Sequence, residues 1–88
     1  MGLLVLAATG CKTPKLTEAN EQYARGEYFN ASKTYRAVYN KLNPRQDREL
    51  RGEVAFQLGN CYRKLNMAAR AAAAYQNAVR YEYPDSMT

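Results

Sequence analysis

The chain has 88 residues, 47% of them apolar, and a formal charge of +5. That length makes at most one small domain, burying about 60% of its unfolded surface. The absence of His removes the commonest general base and metal ligand. The two Cys, at positions 11 and 61, provide neither a disulfide framework nor the four clustered ligands of a zinc site. No nucleophile–base pair and no phosphate-cradling Gly loop occurs, so neither catalysis, a metal nor a cofactor is expected.

The positive charge is spread along the chain. It sums to zero from Pro14 to Arg25, to +2 from Glu27 to Leu42, to +2 from Pro44 to Leu65, and to +1 from Met67 to Tyr83. A nucleic-acid binder concentrates its charge on one face or arm. No nucleic-acid partner is therefore expected.

Residues 1–11 come first. Gly2 to Gly10 form an apolar run ending in small residues before Cys11. It is shorter than the about 20 residues that cross a bilayer, and it has the form of a signal h-region followed by a small-residue cleavage site. Ala8-Thr9-Gly10-Cys11 resembles a lipobox, whose Cys is acylated and becomes the new N-terminus. Two departures stand out. No Lys or Arg precedes the run, and Ala8 occupies a position where lipoboxes usually carry Leu. Cys11 is the expected lipidation site, and residues 1–11 the expected remnant of a lipoprotein signal. The alternative is an apolar tail in which Cys11 is incidental.

Four helices follow. Thr13-Pro14 starts the first, with a hydroxyl N-cap before a Pro whose missing N–H costs nothing there. It runs to about Arg25, where Gly26 supplies a turn residue able to take positive φ. The second spans about Tyr28 to Leu42, with Tyr28, Ala31, Tyr35, Val38, Tyr39 and Leu42 at three- and four-residue spacing. Asn43-Pro44-Arg45-Gln46 has the pattern of a cap and capping box. The third helix is therefore expected from about Pro44 to Lys64, with Leu50, Val54, Leu58, Cys61, Tyr62 and Leu65 on its apolar stripe. Asn66 turns the chain as Gly26 did. The fourth helix, from about Met67 to Tyr83, carries Ala71, Ala74, Tyr75, Ala78 and Val79, and Pro84 ends it. The expected fold is all-α: four helices in two antiparallel hairpins, 12–43 and 44–88, forming the start of an α-solenoid.

The hairpins repeat. Gly26, Ala31 and Tyr35 correspond to Asn66, Ala71 and Tyr75, forty residues later, and Asn20 aligns with Asn60. Leu58-Gly59, Tyr62, Ala71, Tyr75, Ala78 and Pro84 together resemble the tetratricopeptide repeat. The first hairpin holds Gly26, Tyr28, Ala31 and Tyr35 but lacks the Leu-Gly pair, and a register of forty exceeds the family's about 34. Small Gly59, Ala71 and Ala78 would let helix axes approach, and Tyr62 and Tyr75 would fill the space between them. Such hairpins normally stack in about three or more repeats. The chain ends where another first helix would begin. It is therefore expected to be a piece of a longer protein, or to pair with a partner through the exposed face of the fourth helix.

In that family the first helix of each repeat lines a concave groove. Carried over, the resemblance implies a peptide groove of Asn20 and Tyr23 in the first hairpin and Glu53, Gln57, Asn60, Arg63 and Lys64 in the second. An Asn amide both donates and accepts, which suits a peptide backbone, and Arg63 and Lys64 suit carboxylates. The bland alternative is a solvated helix end for Arg63 and Lys64 and repeat filler for Asn60. Tyr28, Tyr35, Tyr62 and Tyr75 are expected in the packing, while Tyr23, Tyr39, Tyr81 and Tyr83 are free to form a partner surface.

A lipobox followed directly by such hairpins is similar to the N-terminal region of Bacteroidetes OmpA-family lipoproteins. Arg51 to Phe56, Asn60 to Arg63 and Ala78 to Ser86 carry that likeness. The resemblance implies an outer-membrane lipoprotein facing the periplasm, associated with type IX secretion, and peptidoglycan binding through domains that this chain does not include. The expected function is a non-catalytic protein–protein interaction scaffold, held at a membrane by a lipid on Cys11. The alternative is a soluble cytoplasmic adaptor that binds peptide segments in the same groove.

Overall fold

The computed structural model describes residues 14–81, which are 81% helical, and no strand occurs among them. The helices are α1 (Pro14–Ala24), α2 (Tyr28–Lys41), α3 (Arg48–Lys64) and α4 (Ala68–Arg80). Each packs mainly on its neighbour in the chain, giving an all-α fold of two helical hairpins. Residues 1–11, with Cys11, lie outside the described residues, as do Thr13, Tyr83 and Pro84.

The turns inside the two hairpins are built alike. Gly26 has φ 80° and Asn66 has φ 62°, the left-handed region where Gly, and more rarely Asn, sits. The Glu27 N–H donates to the Gln22 carbonyl at 2.9 Å and the Gly26 N–H to Tyr23 at 3.0 Å. Forty residues on, the Met67 N–H donates to Tyr62 at 2.8 Å and the Asn66 N–H to Arg63 at 3.0 Å. This is the Schellman arrangement, which satisfies two otherwise orphaned carbonyls at a helix end.

The helix limits differ from expectation mainly at α3, whose regular helix starts at Arg48 rather than about Pro44. Asn43 caps the turn before α3 and not the helix itself, whose N-cap is Asp47: the Asn43 Oδ1 accepts from the N–H groups of Arg45 (2.8 Å) and Gln46 (2.9 Å). The reciprocal bond comes from Asp47, not Gln46, because the Asp47 Oδ2 accepts from the Asn43 N–H at 2.9 Å. That local bond accompanies φ −107°, ψ 31° at Asp47, outside helical geometry, so residues 44–47 form a separate turn. The second helix ends at Lys41 rather than Leu42, which is extended. The fourth begins at Ala68 rather than Met67, and Tyr81 is its C-cap.

The core runs through both hairpins. Ala19, Ala31, Tyr35 and Val38 join Val54, Leu58, Cys61, Tyr62, Ala71 and Ala74 in one buried cluster. The Ala-rich α4 can lie close to α3 because its buried positions, Ala71, Ala74 and Ala78, carry only a methyl group. Opposite it, Gly59 carries none: a Cβ there would stand 2.6 Å from the Tyr75 ring. The small residues and Tyr62 take the packing roles expected of them, and Cys61 is a fully buried core residue.

The missing Leu-Gly pair of the first hairpin has a structural counterpart. Glu18 stands where Leu58 stands in the second hairpin. Leu58 is buried, whereas Glu18 is about half exposed and pairs with Lys15 at 3.5 Å. Likewise Gln22 replaces Tyr62, and its Oε1 accepts from the Thr34 hydroxyl at 2.7 Å. One side of α1 is thus polar where the matching side of α3 is core. On α4, Ala68, Ala69, Ala72, Ala73 and Val79 remain exposed.

Candidate functional site

The residues expected to line a groove stand on α1 and α3. Asn20 and Asn60 are the fixed points. The Tyr35 hydroxyl donates to Asn20 Oδ1 at 2.5 Å, and the Tyr75 hydroxyl donates to Asn60 Oδ1 at 2.6 Å. In each hairpin the second helix therefore holds the first through the same Asn–Tyr bond, forty residues apart. This alters the expected role of the two amides. Each has its acceptor oxygen engaged, which orients the amide and leaves the Nδ2 donors for further contacts. The Asn60 Nδ2 makes a long bond to Gln57 Oε1 at 3.4 Å.

Tyr75 also accepts from Arg63 Nε at 3.2 Å, so Asn60, Arg63 and Tyr75 form one connected set. The Arg63 guanidinium is exposed, and this bond to Tyr75 is the main cause of its raised pKa. Tyr23, half-buried, packs edge-on against Tyr28 at 5.2 Å. Burial raises its pKa above the usual tyrosine value. Burial likewise raises the Tyr35 pKa well above its usual value, with a minor push from Glu53.

The Lys64 ammonium lies 5.7 Å from the centre of the Tyr28 ring, against the start of α2. The contacts thus fall into separate sets: Asn60 and Arg63 share Tyr75, with Gln57 touching Asn60; Tyr23 and Lys64 share Tyr28; and Asn20 is bound to Tyr35.

The tyrosines also sort differently from expectation. Tyr35 and Tyr62 lie in the core and Tyr75 packs against it, as does Tyr23, which was expected to be free; Tyr28, expected in the packing, instead meets Tyr23 and Lys64. Tyr39 and Tyr81, expected to be free for a partner, are instead engaged by Arg51, a residue to which sequence reasoning gave no role. The Arg51 side chain donates to the Tyr39 and Leu42 carbonyls at 3.1 and 2.8 Å and to the Tyr81 hydroxyl at 3.0 Å. Arg51 follows a turn of acidic and basic residues in the sequence, and nothing in that local pattern distinguishes it from a solvated charge. Only the ends of α2 and α4, brought together by the fold, identify its partners.

The α1/α3 face therefore offers amide donors, a guanidinium and the edge of an aromatic ring, held by bonds to α2 and α4. Among the described residues, no helix is long and apolar enough to cross a membrane. No family model matches the chain, and no match is found among curated proteins or solved structures.

Proposed function

We propose that the chain is a non-catalytic protein–protein interaction module of the tetratricopeptide type, which binds an extended peptide segment on its α1/α3 face. The observation that carries this reading is the pair of equivalent bonds, Tyr35 to Asn20 and Tyr75 to Asn60. They hold two identical amides at matching positions, each with at least one amide proton not used within the described residues. Repeated amides at fixed spacing suit a ligand that itself repeats, and a peptide backbone does so. Arg63 adds a carboxylate partner beside Asn60.

The test uses isotope-labelled full-length chain and peptides selected for binding to it. Binding on this face shifts the side-chain amide resonances of Asn20 and Asn60, and an Asn60→Ala, Arg63→Ala double variant weakens affinity by at least about tenfold, since the charge-assisted bond of Arg63 alone contributes roughly 1.5 kcal/mol. Unchanged amide resonances at saturating peptide would remove the reading.

The setting we propose is an envelope lipoprotein anchored through Cys11, in the manner of OmpA-family lipoproteins associated with type IX secretion. Its support is the small-residue run Ala8-Thr9-Gly10 before Cys11. Expressed in a bacterium behind a complete signal sequence, the chain would incorporate a labelled fatty acid, and Cys11→Ala would abolish both the label and the membrane association. Equal membrane partitioning of the two forms would leave the soluble adaptor as the better reading.

A further inference from the structure

The charge that looks evenly spread in sequence is sorted by the fold. Neither α2 nor α4 carries a single acidic residue, whereas Lys33, Arg36 and Lys41 lie on α2 and Arg70 and Arg80 on α4, all exposed. Every described carboxylate is elsewhere: Glu18 and Glu21 on α1, Glu27 in the first turn, Asp47 before α3, and Glu49 and Glu53 on α3. At 100° per residue, Lys33, Arg36 and Lys41 fall within one half of the α2 surface, as Arg70 and Arg80 do on α4.

Between these two helices, over α3, lies an open cleft of about 400 Å³ lined by Arg36, Leu58, Tyr62, Arg70, Ala73 and Asn77 among others. Its floor is apolar, made by Leu58 and the alanines of α4. Its polar groups are unspent. Neither Arg36 nor Arg70 forms an ion pair or a hydrogen bond with another described side chain, although the Arg70 guanidinium lies 6.0 Å from the centre of the Tyr62 ring. The Asn77 amide and the Tyr62 hydroxyl also lack a bonded partner among the described residues. Tyr62 lines the cleft, and its hydroxyl is not fully sealed from solvent. The cleft exists only where the two hairpins meet, because its walls come from α2 of one and α4 of the other.

We propose that this cleft docks an acidic peptide segment of a partner protein. A branched aliphatic side chain rests on Leu58 and Ala73, and flanking carboxylates meet Arg36 and Arg70. The charge complementarity rests on the absence of any competing carboxylate on either wall, and guanidinium–carboxylate pairs are the strong, directional form of that contact. The apolar floor selects peptide over nucleic acid, whose backbone has nothing to place on it. This surface is separate from the α1/α3 face.

The experiment follows the fluorescence anisotropy of a labelled peptide alternating Glu and Leu as full-length chain is added. Controls are its Gln–Leu counterpart and a single-stranded thymidine oligonucleotide. The expected result is saturable binding of the acidic peptide and at least about tenfold weaker binding of the Gln form. An equal loss is expected in the Arg36→Gln, Arg70→Gln variant. Ala73→Glu, which places a carboxylate in the wall, weakens binding by a similar factor. These positions are exposed, and circular dichroism checks that each variant keeps its helix content. The side-chain amide resonances of Asn20 and Asn60 are followed in the same titration, so occupation of the α1/α3 face and of this cleft are seen separately. The proposal is overturned by affinity that survives the double Arg variant, by the absence of saturable binding, or by an oligonucleotide that binds as tightly as the peptide.

Discussion

The Arg51 guanidinium lies 4.1 Å from the centre of the Tyr39 ring and donates through Nη1 to the main-chain oxygen of the same residue. The same Nη1 reaches the Leu42 carbonyl at 2.8 Å, and Nε reaches the Tyr81 hydroxyl at 3.0 Å. One side chain of α3 therefore caps the C-terminal end of α2 and holds the end of α4. A cation suits this place, because the last carbonyls of a helix carry its partial negative charge.

Arg51→Ala should accordingly destabilise the chain by about 2 kcal/mol, since charge-assisted bonds to half-buried carbonyls are lost without replacement. In a domain of this size that lowers Tm by roughly 10 °C. Arg51→Lys should recover only part of the loss, because an ammonium cannot stack on Tyr39 while serving two carbonyls and a hydroxyl. Thermal unfolding followed by circular dichroism measures both. A fully stable Arg51→Ala variant would mean that solvent satisfies the carbonyls equally well.

The helices were legible because their apolar residues recur at three and four positions and their breaks fall at Gly26, Asn43-Pro44 and Asn66. The matching turns and the Asn20–Asn60 alignment were legible too, since identical residues stand forty apart. What escaped was set by contacts distant in sequence. The start of α3 depends on Asp47 bending back to Asn43, a competition between side chain and backbone that a capping pattern does not decide. The sorting of charge onto α2 and α4 required knowing which helices share a face. The amides of Asn20 and Asn60 were identified as candidates, but only the structure shows a tyrosine occupying each acceptor.

Gly59 separates packing from helix propensity. A Cβ there meets Cδ1 and Cε1 of Tyr75 at 2.6 Å. The ring cannot easily yield, because its hydroxyl bonds to Asn60 and Arg63 and the Phe56 ring lies beside it, tilted by 49° with centroids 5.8 Å apart. Gly59→Ala gains about 1 kcal/mol of helix propensity but incurs an overpacking cost of up to about 3 kcal/mol, so a net loss of about 1 kcal/mol is expected. In a Tyr75→Phe background the tethers are gone, the ring gives way, and the same substitution should cost less. A double-mutant cycle from denaturant unfolding reads that coupling, and strict additivity would show that the ring is not held by its hydroxyl.

The two turns offer an internal control. Gly26 has open space around a hypothetical Cβ, so any cost of substitution there comes from its φ of 80° alone. Gly26→Ala should lose about 1 kcal/mol, the cost of a left-handed L-residue. Gly26→Asn should lose clearly less, because Asn66 already occupies the equivalent position at φ 62°. Equal losses for the two variants, measured by chemical denaturation, would show that the turns are not equivalent in energy.

Cys61 gives the chain an alkaline limit. Burial pushes its thiol from the usual 9.0 up to about 12, and the Tyr35 hydroxyl moves in the same direction for the same reason. Both groups keep their protons in the folded chain at pH values where the unfolded chain releases them. The unfolded state therefore binds fewer protons, and stability falls as pH rises. The contribution of Cys61 is fully present below pH 9.0 and is lost progressively as pH approaches about 12. Tm measured across that range should decline, and Cys61→Ala should delay the onset while leaving the later decline from Tyr35. In a Cys11→Ala background the remaining thiol should resist a disulfide reagent in the native protein and react fully in denaturant, since a buried, protonated thiol is a poor nucleophile. Native Cys61 reacting as fast as a free thiol would mean that α3 and α4 separate readily, and the alkaline decline would then have another origin.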